Sequence, residues 1–271
     1  MAASCTLTVP APFAASSSSS TSARRYRRFG VVAMASEGQK VYAPGVAVSE
    51  GNGGLPKISL KSPHGSEAEI YLFGACVTSW KVPNGKDLLF VRPDAVFNGQ
   101  KPISGGIPHC FPQFGPGPMQ QVVLHSTSLS TTLKIINTDD KPFSFTSALH
   151  TYFSASIAGV SVKGLKGSKT LNKDPDPKNP LEGKEDRDEV TFPGFVDCVY
   201  LGAPSELTLD NGLGDKIVIS NTNWSDAVLW NPHLQMEACY KDFVCVENAK
   251  IETVQLGPKE SWVAEQKIEL V

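Results

Sequence analysis

Three features of this 271-residue chain predict an all-β fold, an antiparallel β-sandwich. Its 23 glycines and 20 prolines exceed the share of about 12% found in an average protein, so turns are frequent. Short runs alternate between apolar and polar residues, which is the period of a half-buried strand. No stretch carries the apolar stripe of a three-turn helix, and no window approaches the roughly 18 apolar residues of a membrane-crossing helix. The length allows a sizeable core.

In chain order, residues 57–61 alternate, Pro63, His64 and Gly65 turn the chain, and residues 68–72 resume the alternation. Residues 133–136 lead into a polar turn over 137–142. The strand expected over 143–153 places Phe143, Phe145 and Leu149 on one face. Ser144, Thr146, Ala148, His150 and Tyr152 fall on the other. Further strands are expected at 205–209, 216–220 and 263–270, and the proline-rich, mixed-charge stretch 172–189 reads as a solvated surface loop.

The charge is uneven. Residues 1–36 are rich in Ser and Ala, contain Arg24, Arg25, Arg27 and Arg28, and have no acidic residue. A secretory signal places its charge before an apolar block, whereas here the arginines come late, as in a transit peptide. The expected organisation is a disordered plastid transit peptide over 1–35 and one sandwich domain over 36–271, located in the chloroplast stroma. Val32-Ala33-Met34 resembles a plastid processing site. Without the leader, 21 basic residues face 27 acidic ones, which disfavours nucleic acid as a partner. No membrane partner is expected either. With Cys5 in the leader, the remaining Cys76, Cys110, Cys198, Cys239 and Cys245 are scattered and odd in number, so no disulfide framework is predicted. The spacing of Cys239 and Cys245 does not fit a zinc knuckle, and no metal site is predicted.

Several segments carry a resemblance. Residues 101–108 read KPISGGIP and 111–115 read FPQFG. Residues 147–153 read SALHTYF and 195–197 read FVD. Then come LWNP at 229–232, VCVENA at 244–249 and LGPKESW at 256–262. In this order they resemble the glucose-6-phosphate 1-epimerase family, the hexose-6-phosphate mutarotases of the aldose 1-epimerase group. Plant members are also called apospory-associated protein C-like. The resemblance implies a galactose mutarotase-like β-supersandwich with an open sugar cleft and no cofactor. The partner it implies is a small hexose 6-phosphate, bound by a monomer.

By the same resemblance, His150 is the catalytic acid and Glu247 the catalytic base. Asp197 accepts hydrogen bonds from sugar hydroxyls, and Gln121 contacts the sugar. The chemistry suits these types: opening a hemiacetal ring takes a proton from the C1 hydroxyl and gives one to the ring oxygen, and closure reverses both roles. Read without a family, a lone histidine on a mixed strand is more often structural and a glutamate ending a strand more often solvated. The resemblance reverses both expectations. Gly105 and Gly106 read as a tight turn near the cleft, and Trp230 as a cleft wall or a core aromatic.

The chain also departs from the family. After Gln121 the family continues into His-Gly-Phe-Ala-Arg-Asn, which is absent here, so a block of a few dozen residues is expected to be missing. The arginine of the family's Arg-Gly-Gly-Ile-Pro is Ser104 here, and the nearest preceding arginine, Arg92, is not placed by the sequence. Deleted strands predict an unpaired sheet edge. Two alternatives to the epimerase follow: a non-catalytic sugar-phosphate-binding protein, and a mutarotase of unphosphorylated aldoses.

Overall fold

The computed structural model describes residues 3–7, 40–111 and 120–271, with side chains from 44–111 and 124–271. Alternating sequence becomes three antiparallel sheets. The first runs Ala3–Leu7, Gln120–Leu124, Ser128–Ile136, Ser261–Leu270, Lys216–Thr222, Glu206–Asp210, Ser161–Lys163 and Glu189–Val190, each beside the next. The second runs Leu181–Lys184, Lys169–Asn172, Val196–Leu201, Asp226–Asn231, Phe243–Leu256, Phe143–Leu149 and His109–Cys110. Tyr152–Ser154 also pairs with Phe243–Leu256. The third is a meander from Lys40–Ala43 through Val46–Glu50, Pro56–Lys61 and Glu67–Tyr71 to Cys76–Lys81.

One core joins the sheets. Leu60, Ile70 and Trp80 from the third meet Leu129, Leu133 and Ile268 from the first and Phe145, Leu229, Val244 and Val246 from the second. Among the described residues no helix is long and apolar enough to cross a membrane.

Two expectations are corrected. The strand expected over 143–153 breaks at His150. Up to Leu149 the chain pairs with His109, Cys110 and the far part of Phe243–Leu256, and from Tyr152 it pairs with Phe243, Val244 and Cys245. At the break the His150 N–H donates to the Pro108 carbonyl at 3.0 Å and the Thr151 N–H to that of Leu149 at 2.8 Å. Gln266, buried on the first sheet, reaches across to Thr151 Oγ1 at 3.2 Å and Asn248 Oδ1 at 2.9 Å. The stretch 172–189 is also not simply a solvated loop. Leu181–Lys184 folds back on Lys169–Asn172, and Glu185 is buried. Burial is tolerated because Arg187 grips both Glu185 oxygens at 2.7 Å and Tyr200 donates its hydroxyl at 3.1 Å. The Arg187 guanidinium holds that carboxyl below the usual range.

The edge strand Gln120–Leu124 is covered on its outer side by Ala3–Leu7, a piece of the segment read as leader. The rest of that leader, 1–2 and 8–35, lies outside the described residues, as do 36–39 and 112–119.

Gly105 and Gly106 are required by close approach as well as by turning. Their φ values are +141° and +68°, and a Cβ would stand 2.4 Å from Val91 Cα and 2.0 Å from the Val77 carbonyl oxygen respectively. The Gly106 N–H donates to Phe90 and its carbonyl accepts from Tyr152, both at 2.8 Å. Gly106→Ala is therefore expected to destabilise the protein by more than about 2 kcal/mol, read as a lower melting midpoint in thermal unfolding.

Candidate active site

Strand register assembles the site. On the second sheet Asp197 stands opposite Trp230, Trp230 opposite Cys245, and Cys245 opposite Tyr152. One step along the same face, Val199 stands opposite Val228 and Val228 opposite Glu247. Directly opposed residues share a face, so this row is a single surface. The intervening residues Tyr200, Leu229, Val244 and Val246 point into the core. The sheet thus separates a largely apolar interior from a face where polar groups stand among small apolar ones.

Glu247 is 1% exposed. It does not end its strand, as the sequence implied, but lies inside Phe243–Leu256, whose first seven residues are all buried. Burial drives its carboxyl well above the usual range, the nearby Lys173 cation pulls it back, and Asp197 adds to the rise. His150, held at the break between two strands, brings Nε2 to 3.4 Å from Glu247 Oε1. Its ring stacks on Tyr152 at 4.8 Å and meets Trp230 edge-on at 5.5 Å, so Trp230 serves as a wall of the site. Burial pushes the imidazole down to about 4. A backbone hydrogen bond opposes that shift, and the Lys173 and Arg92 cations add to it.

Chemically, His150 and Glu247 hold one proton between them. Burial disfavours charge on each, so the state with both neutral is favoured over imidazolium facing carboxylate. The two states differ only in where that proton sits. At 3.4 Å the contact is longer than a good hydrogen bond, and Glu247 Oε2 and His150 Nδ1 are buried without hydrogen-bond partners in the described structure. Such a pair is primed to give one proton and take another.

Of the four residues expected at the site, three come together. Asp197 lies on the same face, with Oδ1 at 3.4 Å from Lys173 Nζ, and its charge is felt at Glu247. Gln121 pairs through its backbone with Thr6 and Thr132 on the first sheet, and its side chain lies outside the described residues. Tyr152, Lys173 and Arg92 were not assigned by sequence. Only Tyr152 carried a signal, its shared strand face with His150.

Donor atoms of His150, Cys245 and Glu247 lie within 4.8 Å of one another. A cavity of about 530 Å³, lined by Arg92 together with Asn52, Glu69, Tyr71 and Thr78 among others, contains none of the four expected residues. The titratable pair, not that cavity, marks the chemistry.

The three-sheet architecture is that of galactose mutarotase-like proteins. It superposes on a crystal structure of a galactose mutarotase related enzyme from Lactobacillus acidophilus with a TM-score of 0.65 at 10% identity, over 79% of this chain and 97% of that one. A "putative mutarotase (YeaD)" from Salmonella typhimurium gives a TM-score of 0.71 at 24% identity, over 86% and 95%. Residues 56–126 and 120–269 match the aldose 1-epimerase family. A "Putative glucose-6-phosphate 1-epimerase" of Cenchrus ciliaris is 33% identical over 279 aligned positions, 77% of this chain and 83% of that protein. The chain belongs to the aldose 1-epimerase family and is a sugar epimerase. The two matched segments meet at 120–126, where the missing block was expected. The 77% aligned is about 209 of 271 residues, so about 70 of the 279 positions have no residue in this chain.

Proposed function

We propose that this protein interconverts the α and β anomers of D-glucose 6-phosphate in the plastid stroma, with His150 and Glu247 as the proton-transfer pair. The observation that carries the reading is the 3.4 Å approach of a buried carboxyl and an imidazole on one sheet face. The step starts from the imidazolium–carboxylate form, reached when the proton the pair shares passes from Glu247 to His150. Glu247 then removes the proton of the C1 hydroxyl while His150 delivers one to the ring oxygen, the C1–ring-oxygen bond opens, and both groups are left neutral. The pair gains one proton and loses one, so its charge is unchanged. C1 turns about its bond to C2, and closure returns each proton by the reverse path. Burial supports this by raising the proton affinity of Glu247 and lowering that of His150, which makes the carboxylate a stronger base and the imidazolium a stronger acid than in water. The name of the 33%-identical relative supports the substrate class, and the arginine-bearing, acid-free leader supports the plastid.

Asp197 orients the sugar by accepting hydroxyl hydrogen bonds, beside Lys173. Asp197→Asn is expected to raise KM about tenfold, the loss of one hydrogen bond to a charged group, with kcat changed less. Steady-state kinetics on both anomers read this directly. Exchange spectroscopy on the anomeric protons tests the reading as a whole, with faster exchange than buffer expected. One observation favours a second reading: Ser104 stands where the family carries arginine, which fits an aldose without phosphate. Faster exchange of glucose than of glucose 6-phosphate would select that alternative.

A further inference from the structure

We infer that Arg92 grips the phosphate of the substrate, standing in across a β-bridge for the arginine that Ser104 replaces; this rests on the sugar-phosphate reading above. The backbone makes the two positions neighbours. Val91 bridges Gly105, and the Arg92 N–H donates to the Ser104 carbonyl at 3.0 Å. Paired residues on adjacent antiparallel strands lie roughly 4.5–5.5 Å apart, a span that an arginine side chain covers. A cation lost from one strand is thus available from the next.

The Arg92 side chain is directed to the site. Phe90, two residues earlier, stacks on Phe243 at 5.1 Å, beside Tyr152 and Trp230. The charge of the Arg92 guanidinium is felt at Tyr152, His150 and Cys245. Tyr152 in turn stacks on His150. Arg92 therefore lies beyond Tyr152 from the proton-transfer pair, on the side that suits the C6 phosphate of a sugar whose ring oxygen meets His150.

Its present partner is replaceable. Arg92 holds Asp94 by Nε at 2.9 Å and Nη2 at 2.5 Å, and the arginine side chain is 16% exposed against 63% for the aspartate. A phosphate monoester brings nearly two negative charges and three acceptor oxygens to the same planar fork, so it outcompetes a water-screened carboxylate. Lys173 is the other cation at the site, but it faces Asp197 and so belongs with the sugar hydroxyls.

The test is anomer exchange by the full chain with glucose 6-phosphate and with glucose, comparing wild type, Arg92→Gln and Arg92→Lys, after thermal unfolding verifies each fold. The expected result for Arg92→Gln is a KM for glucose 6-phosphate raised about tenfold or more, with kcat far less affected. The preference for the phosphorylated sugar then collapses, and Arg92→Lys recovers part of it. An unchanged preference in Arg92→Gln, or an equal rise in KM for both sugars, overturns the assignment while leaving the epimerase reading intact. A wild type that exchanges glucose but not glucose 6-phosphate overturns both.

Discussion

Glu247→Gln is expected to slow anomer exchange by about a hundred- to ten-thousand-fold and, at the same time, to raise the melting temperature. Both effects follow from one fact, a carboxyl buried in the sheet with Oε2 unpartnered among the described residues. Glutamine keeps the shape of the protonated acid but cannot move a proton to or from the C1 hydroxyl. It also removes an ionisable group that folding has placed out of water. Because the folded carboxyl titrates well above its unfolded value near 4.3, the native state holds a proton that the unfolded chain has released. That contribution to stability is fully present below about pH 4.3 and is lost as pH rises toward the folded value. The gap in melting temperature between the variant and wild type should therefore open as pH rises, and differential scanning calorimetry across pH 4–8 measures it. An active-site glutamate whose removal stabilises the fold is the signature of a group placed for chemistry rather than packing.

His150→Ala is expected to produce a comparable loss of exchange with the opposite dependence of stability on pH. The imidazole is pushed down to about 4, so it stays neutral in the folded state over a range where the unfolded chain takes up a proton. Its contribution is fully present above about pH 6.5 and is lost as pH falls toward the folded value. The variant should lose less stability than wild type on acidification, though not all of the effect will vanish. His109 is buried too, and desolvation likewise sets it to about 4. In the wild type, kcat/KM should fall as pH drops through about 4, because a second proton on the pair removes the base. Alanine also opens space beside Tyr152 and Trp230, so circular dichroism should accompany the kinetics.

Much of the fold was legible because strand alternation is local. Phe145 and Leu149 face the core as their spacing required, and Gly105-Gly106 turns where two adjacent glycines permit it. The break at His150 was not legible, because it is set by carbonyls at Gly106 and Pro108 and by Gln266 on another sheet. Glu185 illustrates the same limit. In sequence it heads a solvated charge run, and only Arg187 and Tyr200, brought together by a hairpin, permit its burial. At the site, His150, Asp197 and Glu247 were reachable through family motifs, but their union depends on register across four strands, which no short segment encodes. Arg92 needed still more, since its relation to Ser104 is a single bridge between two irregular stretches.

The most direct test of the account is two-dimensional exchange NMR on the anomeric protons of glucose 6-phosphate, with wild type and Glu247→Gln at equal concentration. The account predicts cross-peaks between the α and β anomers that grow with wild-type enzyme and fall to near the buffer rate with the variant. A folded wild type that leaves exchange at the buffer rate, or a Glu247→Gln variant as fast as wild type, would contradict it.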